Sequence, residues 1–408
     1  MTHSSKQVPN LVDILQEKSS THPDQNAFDF VMDGENQVES ISYFELSRRS
    51  RAIAARLQEL RAEGERAILL FPPGFDFITA FTGCLFAGTV AVPTYPPDIS
   101  RLERSLPRFL AIVRSAKPAV VLTTTPILAL SQFILAQHPD LQDIPWLAVD
   151  QLIQDQSVAD AWKHPGISPG TLAFLQYTSG STSDPKGVMI NHSNLSWQIE
   201  TIRKAFQLDP DHDRCVIWLP FYHDMGLIGG ILTPLYMGVA ITLFSPLDFL
   251  QRPVRWLNML SRNKTTVSGG PNFAYELCIR KATPELIQSL DLRSWEVAFN
   301  GAEPVRAETL ERFAQVFRPC GFNIKAFYPC YGLAEATLLV SGVIRGSGPT
   351  ILPVQSEALG RHQVMMMDEN QPGSQRLVAA GHTWNNHQVV IVDPETGLAC
   401  QPDDNGLT

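Results

Sequence analysis

GTLAFLQYTSGSTSDPKGVMI, Gly170 to Ile190, decides how this chain is read. Its two ends are apolar, GTLAFLQ before and VMI after. Its centre, Tyr177 to Gly187, packs five Ser or Thr hydroxyls, two glycines and one lysine into eleven residues. Glycine lets backbone N–H groups turn inward as an anion nest, hydroxyls add neutral donors and lysine adds a point charge, so the loop suits a polyphosphate. The Walker pattern GxxxxGK[ST] has the same offset from first glycine to lysine as Gly180 and Lys186. Here, however, Pro185 replaces the second glycine and Gly187 replaces the magnesium-binding hydroxyl. A Walker loop also opens a helix, whereas short apolar runs on both sides make this a strand-to-strand loop. The competing reading is a polar surface hairpin, because Gly and Ser are ordinary turn residues.

Outward from this loop, short apolar strands alternate with amphipathic helices. The strands are AILLF (67–71), AVVLT (119–123), CVIWLP (215–220), AITLF (240–244), EVAFNG (296–301) and NIKAFYP (323–329). That alternation predicts an α/β protein with mainly parallel sheets covered on both faces. In 194–206, Leu195, Ile199, Ile202 and Phe206 form one apolar helical stripe, and Ser193 can cap its start. A polar, Pro- and Gly-containing stretch at 155–169 marks a soft boundary. From Ser341 the chain is richer in Gly, Pro and polar residues; its clearest strand, QVVIV (388–392), runs into the turn Asp393-Pro394-Glu395-Thr396-Gly397.

The length of 408 residues exceeds the usual single-core limit and predicts two or three structural units. A net charge of −9 argues against a nucleic-acid partner. Arginines cluster in Ser47 to Arg66 and at Arg101, Arg104, Arg108 and Arg114. At helical spacing they read as solvated helix faces, with a docking surface for an acidic partner as the sharper alternative. The six cysteines form no CxxC pair, so neither a metal knuckle nor a disulfide framework is expected. No charged n-region with an apolar core opens the chain, which makes cytoplasmic residence the default. Two uncharged stretches, 77–97 and 225–247, contain Pro93, Pro96 and Pro234. They read as a buried helix passing into a buried strand, not as a membrane span.

Three further segments sit at strand ends, where open α/β sheets bind ligands. LPFYHDMGLIGGI (219–231) places His223 and Asp224 between an apolar strand and a glycine-rich run; a lone histidine there is otherwise a satisfied structural residue. FNGAEPV (299–305) offers Gly301 and Ala302, where a planar ring can approach the backbone, although taken alone the segment reads better as a helix-entry turn. CYGLAEAT (330–337) sets an aromatic face at Tyr331 and a carboxylate at Glu335 around Gly332, and Glu335 is a suitable oxygen ligand for the divalent ion a triphosphate needs.

In this order, the loop, FYHDMG, NGAEP and YGLAEAT resemble the adenylate-forming enzymes. Within them FYHDMGLIGGIL, SGGPNFAYELC (268–278) and YGLAEAT are most similar to the fatty acyl-AMP ligases. The resemblance implies that a medium- or long-chain fatty acid attacks the α-phosphate of ATP, releasing pyrophosphate and leaving an acyl-adenylate. It implies Mg²⁺ as metal and an acyl carrier protein, or a polyketide-synthase carrier domain, as the acceptor. On matching positions, Thr178, Ser179, Gly180, Ser181, Thr182, Lys186 and Gly187 would hold phosphates. Gly301, Ala302, Glu303, Tyr331 and Gly332 would form the adenine slot, and Glu335 would ligate Mg²⁺. His223 would lie near the carboxylate and α-phosphate, while 226–232 and 269–275, with Gly226, Ile231, Gly270 and Phe273, would line an acyl tunnel. Lys186, His223 and Glu335 would be the catalytic set. The threonine usual in YGxTE is Ala334 here, leaving the α-phosphate contact to Thr337 or His223.

The same resemblance implies two αβαβα-type subdomains, 1–169 and 170–340, and an incomplete C-terminal β-barrel at 341–408 with a ligase-type insertion at about 342–376. The family's ribose-binding aspartate and its C-terminal lid with a catalytic lysine have no counterpart before Thr408, so the fragment is expected to be incomplete for full catalysis. An acyl-CoA synthetase, a non-catalytic acyl- or nucleotide-binding module and, more distantly, a P-loop phosphotransferase are the competing readings.

Overall fold

The computed structural model describes residues 9–97, 101–178, 185–361 and 363–400. The chain forms two compact units, the first from Met1–Ile202, Asp209–Trp256 and Ala334–Leu338, the second from Arg203–Leu208, Leu257–Leu333 and Leu339–Thr408.

The first unit contains strands β1 (Asn26–Val31), β2 (Val38–Ser42), β3 (Arg66–Leu70), β4 (Val90–Thr94), β5 (Val120–Thr123), β6 (Trp146–Ala148), β7 (Leu172–Tyr177), β8 (Gly187–Asn191), β9 (Arg214–Ile217) and β10 (Ala240–Phe244). One sheet has the order β6-β5-β3-β4-β7-β8, parallel throughout except for β8, which pairs antiparallel with β7. The expected strand-to-strand loop is therefore the connection of an antiparallel hairpin, with Tyr177 opposite Gly187. A second set places β9 parallel to β10, β10 parallel to β1, and β2 antiparallel at the edge.

Parallel strands are hydrophobic at every position because helices cover both faces. Ala67 to Leu70 and Val120 to Leu122 are all buried. Helix Leu102–Ala116 lays Phe109, Ile112, Val113 and Ala116 on Ile68, Leu70, Val92 and Val121. Helix Phe75–Ala87 is buried from Phe77 onward, ends at left-handed Gly88 and passes into β4. This is the helix-to-strand reading of the first uncharged stretch. The second stretch behaves alike: a π-helix at Met225–Leu232 and a short α-helix at Thr233–Met237 pass into β10. No helix among the described residues is long and apolar enough to cross a membrane.

The stripe in helix His192–Phe206 holds, with Leu195, Ile199 and Ile202 buried. Its cap differs from expectation: the side chain of Asn191, not Ser193, accepts from Asn194 N at 2.7 Å, because the helix starts two residues earlier.

The second unit contains β11 (Val267–Gly269), β12 (Val297–Asn300), β13 (Phe327–Gly332), β14 (Leu339–Gly342), β15 (Ile351–Gln355), β16 (Ser374–Val378) and β17 (His382–Thr383). β11, β12 and β13 are parallel neighbours, and β14 and β17 continue antiparallel. NIKAFYP is only partly strand: Asn323 accepts from Lys325 N and starts a 3₁₀ turn at Ile324–Ala326, so β13 begins at Phe327. Tyr275, Trp295, Phe313, Phe322 and Phe327 form an aromatic cluster under helices Asn272–Lys281 and Ala307–Phe317. Hairpin β15/β16 is tied to the second of these helices by Arg376, which bonds Glu308 and Glu311.

The C-terminal residues form no closed barrel among those described. QVVIV is not a strand. Val389 to Val392 are exposed, and the segment's ladder is reduced to one bridge, Val392 with Ala399. β-branched composition favours a pleated surface, but a strand exists only where another backbone pairs with it. The turn after it forms as read, with the Asp393 carboxylate accepting from Glu395 N and Thr396 N.

Candidate functional site

In the first unit, three segments expected to carry chemistry are physically joined. Thr178 N donates to Lys186 O at 3.2 Å and closes the base of the hydroxyl-rich loop, with Lys186 exposed. Ser179, Gly180, Ser181 and Thr182 lie outside the described residues. The strand feeding this loop ends with two polar anchors. Tyr177 Oη donates to Ser115 Oγ at 2.9 Å, and Gln176 Nε2 donates to Tyr222 O at 2.9 Å. Gln176 is 4% exposed, so its amide is a committed core contact holding the loop's strand against the residue before His223. Sequence reasoning passed over Gln176; its cue is one amide in an otherwise apolar strand.

The His223 turn is tight. His223 N donates to Pro220 O, and Leu227 N donates to His223 O. A side chain at Gly226 would place its Cβ 2.1 Å from Pro220 O, so only glycine lets the chain fold back there. Asp224 is buried, caps the π-helix by accepting from Met225 N, and lies 2.6 Å from His223 Nδ1. That carboxylate holds the imidazole pKa above its ordinary value, against the opposing effect of burial. With Nδ1–H directed to Asp224, the other ring nitrogen of an exposed side chain is left for a ligand. π-turns concentrate at functional sites, and this one also holds Gly226 and Ile231, both buried.

The segment Ala334–Leu338 belongs to the same unit, and Leu338 faces Gly229 of the π-helix. Within it Glu335 is exposed, while Thr337 is buried with φ +71°, a strained conformation for a β-branched residue. Among the described residues no group of three or more His, Cys, Asp or Glu could hold a metal ion. A lone carboxylate such as Glu335 suits Mg²⁺ as one oxygen among phosphate and water ligands, so the donor set fits a substrate-borne metal and not a protein cage.

In the second unit, β12 and β13 deliver the other expected residues. Ala302 has φ +66°, uncommon for a residue with a Cβ, at the turn following Gly301. Glu303 Oε1 accepts from Phe273 N at 2.7 Å, which ties the 301–303 turn to the start of helix Asn272–Lys281 beside Gly270 and Phe273. Tyr331 is exposed, next to half-buried Gly332. Asn300, fully buried before Gly301, has neither side-chain atom paired among the described residues. A buried amide without partners is costly, and its place beneath the turn marks it as a residue the sequence reading did not single out.

The AMP-binding enzyme family matches residues 15–407. Medium-chain-fatty-acid–[acyl-carrier-protein] ligase JamA of Moorena producens is 42% identical over 406 residues, covering 99% of this chain and 68% of JamA. Long-chain-fatty-acid–AMP ligase FadD23 of Mycobacterium tuberculosis is 36% identical, covering 96% and 67%. Among solved structures, the fatty acyl-adenylate ligase of L. pneumophila in complex with acyl adenylate and pyrophosphate superposes with a TM-score of 0.88 at 41% identity, over 96% of this chain and 66% of that one. The chain thus spans about two thirds of the length of these relatives. With a glycine- and hydroxyl-rich hairpin loop tied to a histidine turn in an α/β frame, and this family matching nearly end to end, the chain belongs to the AMP-binding enzymes.

Proposed function

We propose that the protein activates a medium- or long-chain fatty acid as its acyl-adenylate at the expense of ATP and passes the acyl group to the phosphopantetheine thiol of an acyl carrier protein. The observation that carries this reading is the Gln176–Tyr222 hydrogen bond, which fixes a polyphosphate-type loop and an Asp-paired histidine in one unit. The names of the relatives supply the acid and the carrier.

A carboxylate oxygen attacks the α-phosphorus, and the bond to the bridging oxygen of the β-phosphate breaks. Charge accumulates on the leaving pyrophosphate, so catalysis is mainly positioning and electrostatic stabilisation. Thr178, Lys186 and Gly187, with Ser179 to Thr182, hold the β- and γ-phosphates. His223, kept protonated over a wider pH range by Asp224, balances charge between carboxylate and α-phosphate. Gly301, Ala302, Glu303, Tyr331 and Gly332 take the adenine, and Thr337 supplies the α-phosphate contact in place of Ala334. Glu335 offers an oxygen to Mg²⁺, which when bound supplies further neutralisation of phosphate charge. Gly226, Ile231, Gly270 and Phe273 line the acyl path.

Incubation with ATP, Mg²⁺, a fatty-acid panel and either CoA or a holo carrier protein, followed by mass spectrometry, tests the reading. Acyl-adenylate, pyrophosphate and acylated carrier are expected; acyl-CoA as the main product, or no adenylate from the full-length protein, would overturn it.

A further inference from the structure

The arginines of helix Leu102–Ala116 have a placement that its core-facing side does not explain. The helix buries one face in the first unit's sheet, and Arg101, Arg104 and Arg108 are exposed on the other. Their spacing puts them on one stripe with Ser115, and Ser115 receives the Tyr177 hydroxyl at the base of the hydroxyl-rich loop. No ion pair joins any of the three to a carboxylate among the described residues, unlike Arg48, Arg49, Arg56 and Arg66, which pair with Glu45, Glu59 or Glu65.

Two of them also work against the helix. The N-terminus of a helix carries partial positive charge, so Arg101 at the cap and Arg104 in the first turn are unfavourable there, and only Glu103 complements the dipole. In a chain of net charge −9, a basic stripe that has no ion pair among the described residues and opposes its own helix dipole breaks the local rule, as functional surfaces do. The stripe has an address: Arg108 lies close enough to act electrostatically on Tyr222, the residue before His223, and Tyr222 packs edge-on against exposed Tyr95 at 5.1 Å.

We infer that Arg101, Arg104 and Arg108, with the exposed ring of Tyr95, form the surface on which an acidic helix of the acyl carrier protein docks, bringing its pantetheine arm to the His223 turn. The inference rests on the carrier-protein reading above. Complementary charge at such a rim raises the association rate and selects the partner, and it is screened by salt.

The test uses the full-length protein and its Arg101→Glu/Arg104→Glu variant. Neither residue is placed in the adenylation machinery, and both changes favour the helix dipole, so the unfolding midpoint should hold. Pyrophosphate release with ATP and fatty acid alone should stay within about twofold, while KM for holo carrier protein rises by about tenfold or more and loses most of its salt dependence. A carrier with acidic helix residues changed to lysine should regain activity with the variant. An unchanged carrier KM would overturn the docking surface, as would a parallel loss of adenylate formation. So would variant-sensitive binding to phosphatidylglycerol vesicles with carrier KM intact, which would reassign the stripe to a lipid surface. If the unaltered protein acylates CoA and no carrier, the carrier reading fails and this inference falls with it; if it acylates the carrier and the variant does so equally well, only the inference fails.

Discussion

Adjacent glycines in the π-helix should respond unequally to one added methyl group. At Gly230 a Cβ would stand 2.7 Å from Ile217 Cγ2 and 3.4 Å from Cγ1. Carbon atoms pack at about 3.5–4.0 Å, so the overlap is close to an ångström. Ile217 is 2% exposed in β9, and its branched side chain has little freedom at χ1, so the strain cannot be relieved locally. Overpacking of this kind costs about 1–3 kcal/mol, and alanine regains about 0.5–1 kcal/mol over glycine in a helix. Gly230→Ala should therefore lose about 1–2 kcal/mol net. At Gly229 the nearest atom is Leu338 Cδ2 at 3.3 Å, the tip of a half-buried, flexible side chain. Gly229→Ala should stay within about 0.5 kcal/mol of the parent. Urea denaturation gives the difference as a shift in midpoint at constant slope. Because Gly229 faces the Leu338 segment, a larger Gly229→Leu change should shorten the longest acid accepted, read from acyl-adenylate products of a fatty-acid panel. Equal destabilisation by the two alanines would refute the packing argument.

Lys186→Ala should lower adenylate formation by about two to three powers of ten with fatty-acid affinity little changed; an unaltered rate in a pyrophosphate-release assay removes Lys186 from the phosphate site. Glu335→Ala should raise the Mg²⁺ concentration needed for half-maximal rate more than it weakens fatty-acid binding, whereas equal losses would indicate a folding defect. Asp224 raises the His223 pKa, so His223 contributes stability at low pH that is lost as pH rises through that raised value. Asp224→Asn should shift both the imidazole NMR titration and the alkaline decline of adenylation to lower pH. His192 is buried and its pKa is lowered to about 4 by desolvation, so the unfolded chain takes up a proton that the native chain refuses. Between pH 7 and 5 that linkage removes about 2 kcal/mol of stability, and His192→Asn should show a smaller acid-dependent fall in its denaturation midpoint.

What could be read from the chain divides by range. The hairpin around the hydroxyl-rich loop, the two helix-to-strand stretches and the stripe Leu195, Ile199, Ile202 are written in local apolar pattern, and the fold keeps them. QVVIV has the same local pattern and is not a strand, because pairing depends on a partner that pattern does not specify. The cap shift from Ser193 to Asn191 reflects two good capping residues two positions apart. His223 and Glu335 could be found from strand-end position and motif. Gln176 and Asn300 could not, since their importance comes from where distant backbone brings them: Gln176 reaches a carbonyl 46 residues away, and Asn300 accepts at its own carbonyl from Cys330 Sγ, 30 residues on.

The Gln176 amide also has a thermodynamic consequence. One end of its strand opens into the loop proposed for phosphates, and its side chain grips the peptide before the histidine proposed for the carboxylate. Ordering either element limits the freedom of the other, so the entropy lost on binding the first substrate need not be lost again with the second. ATP and fatty acid should then each tighten the other's binding by the same factor, as linkage requires, and Gln176→Leu should bring that factor towards one while both substrates still bind.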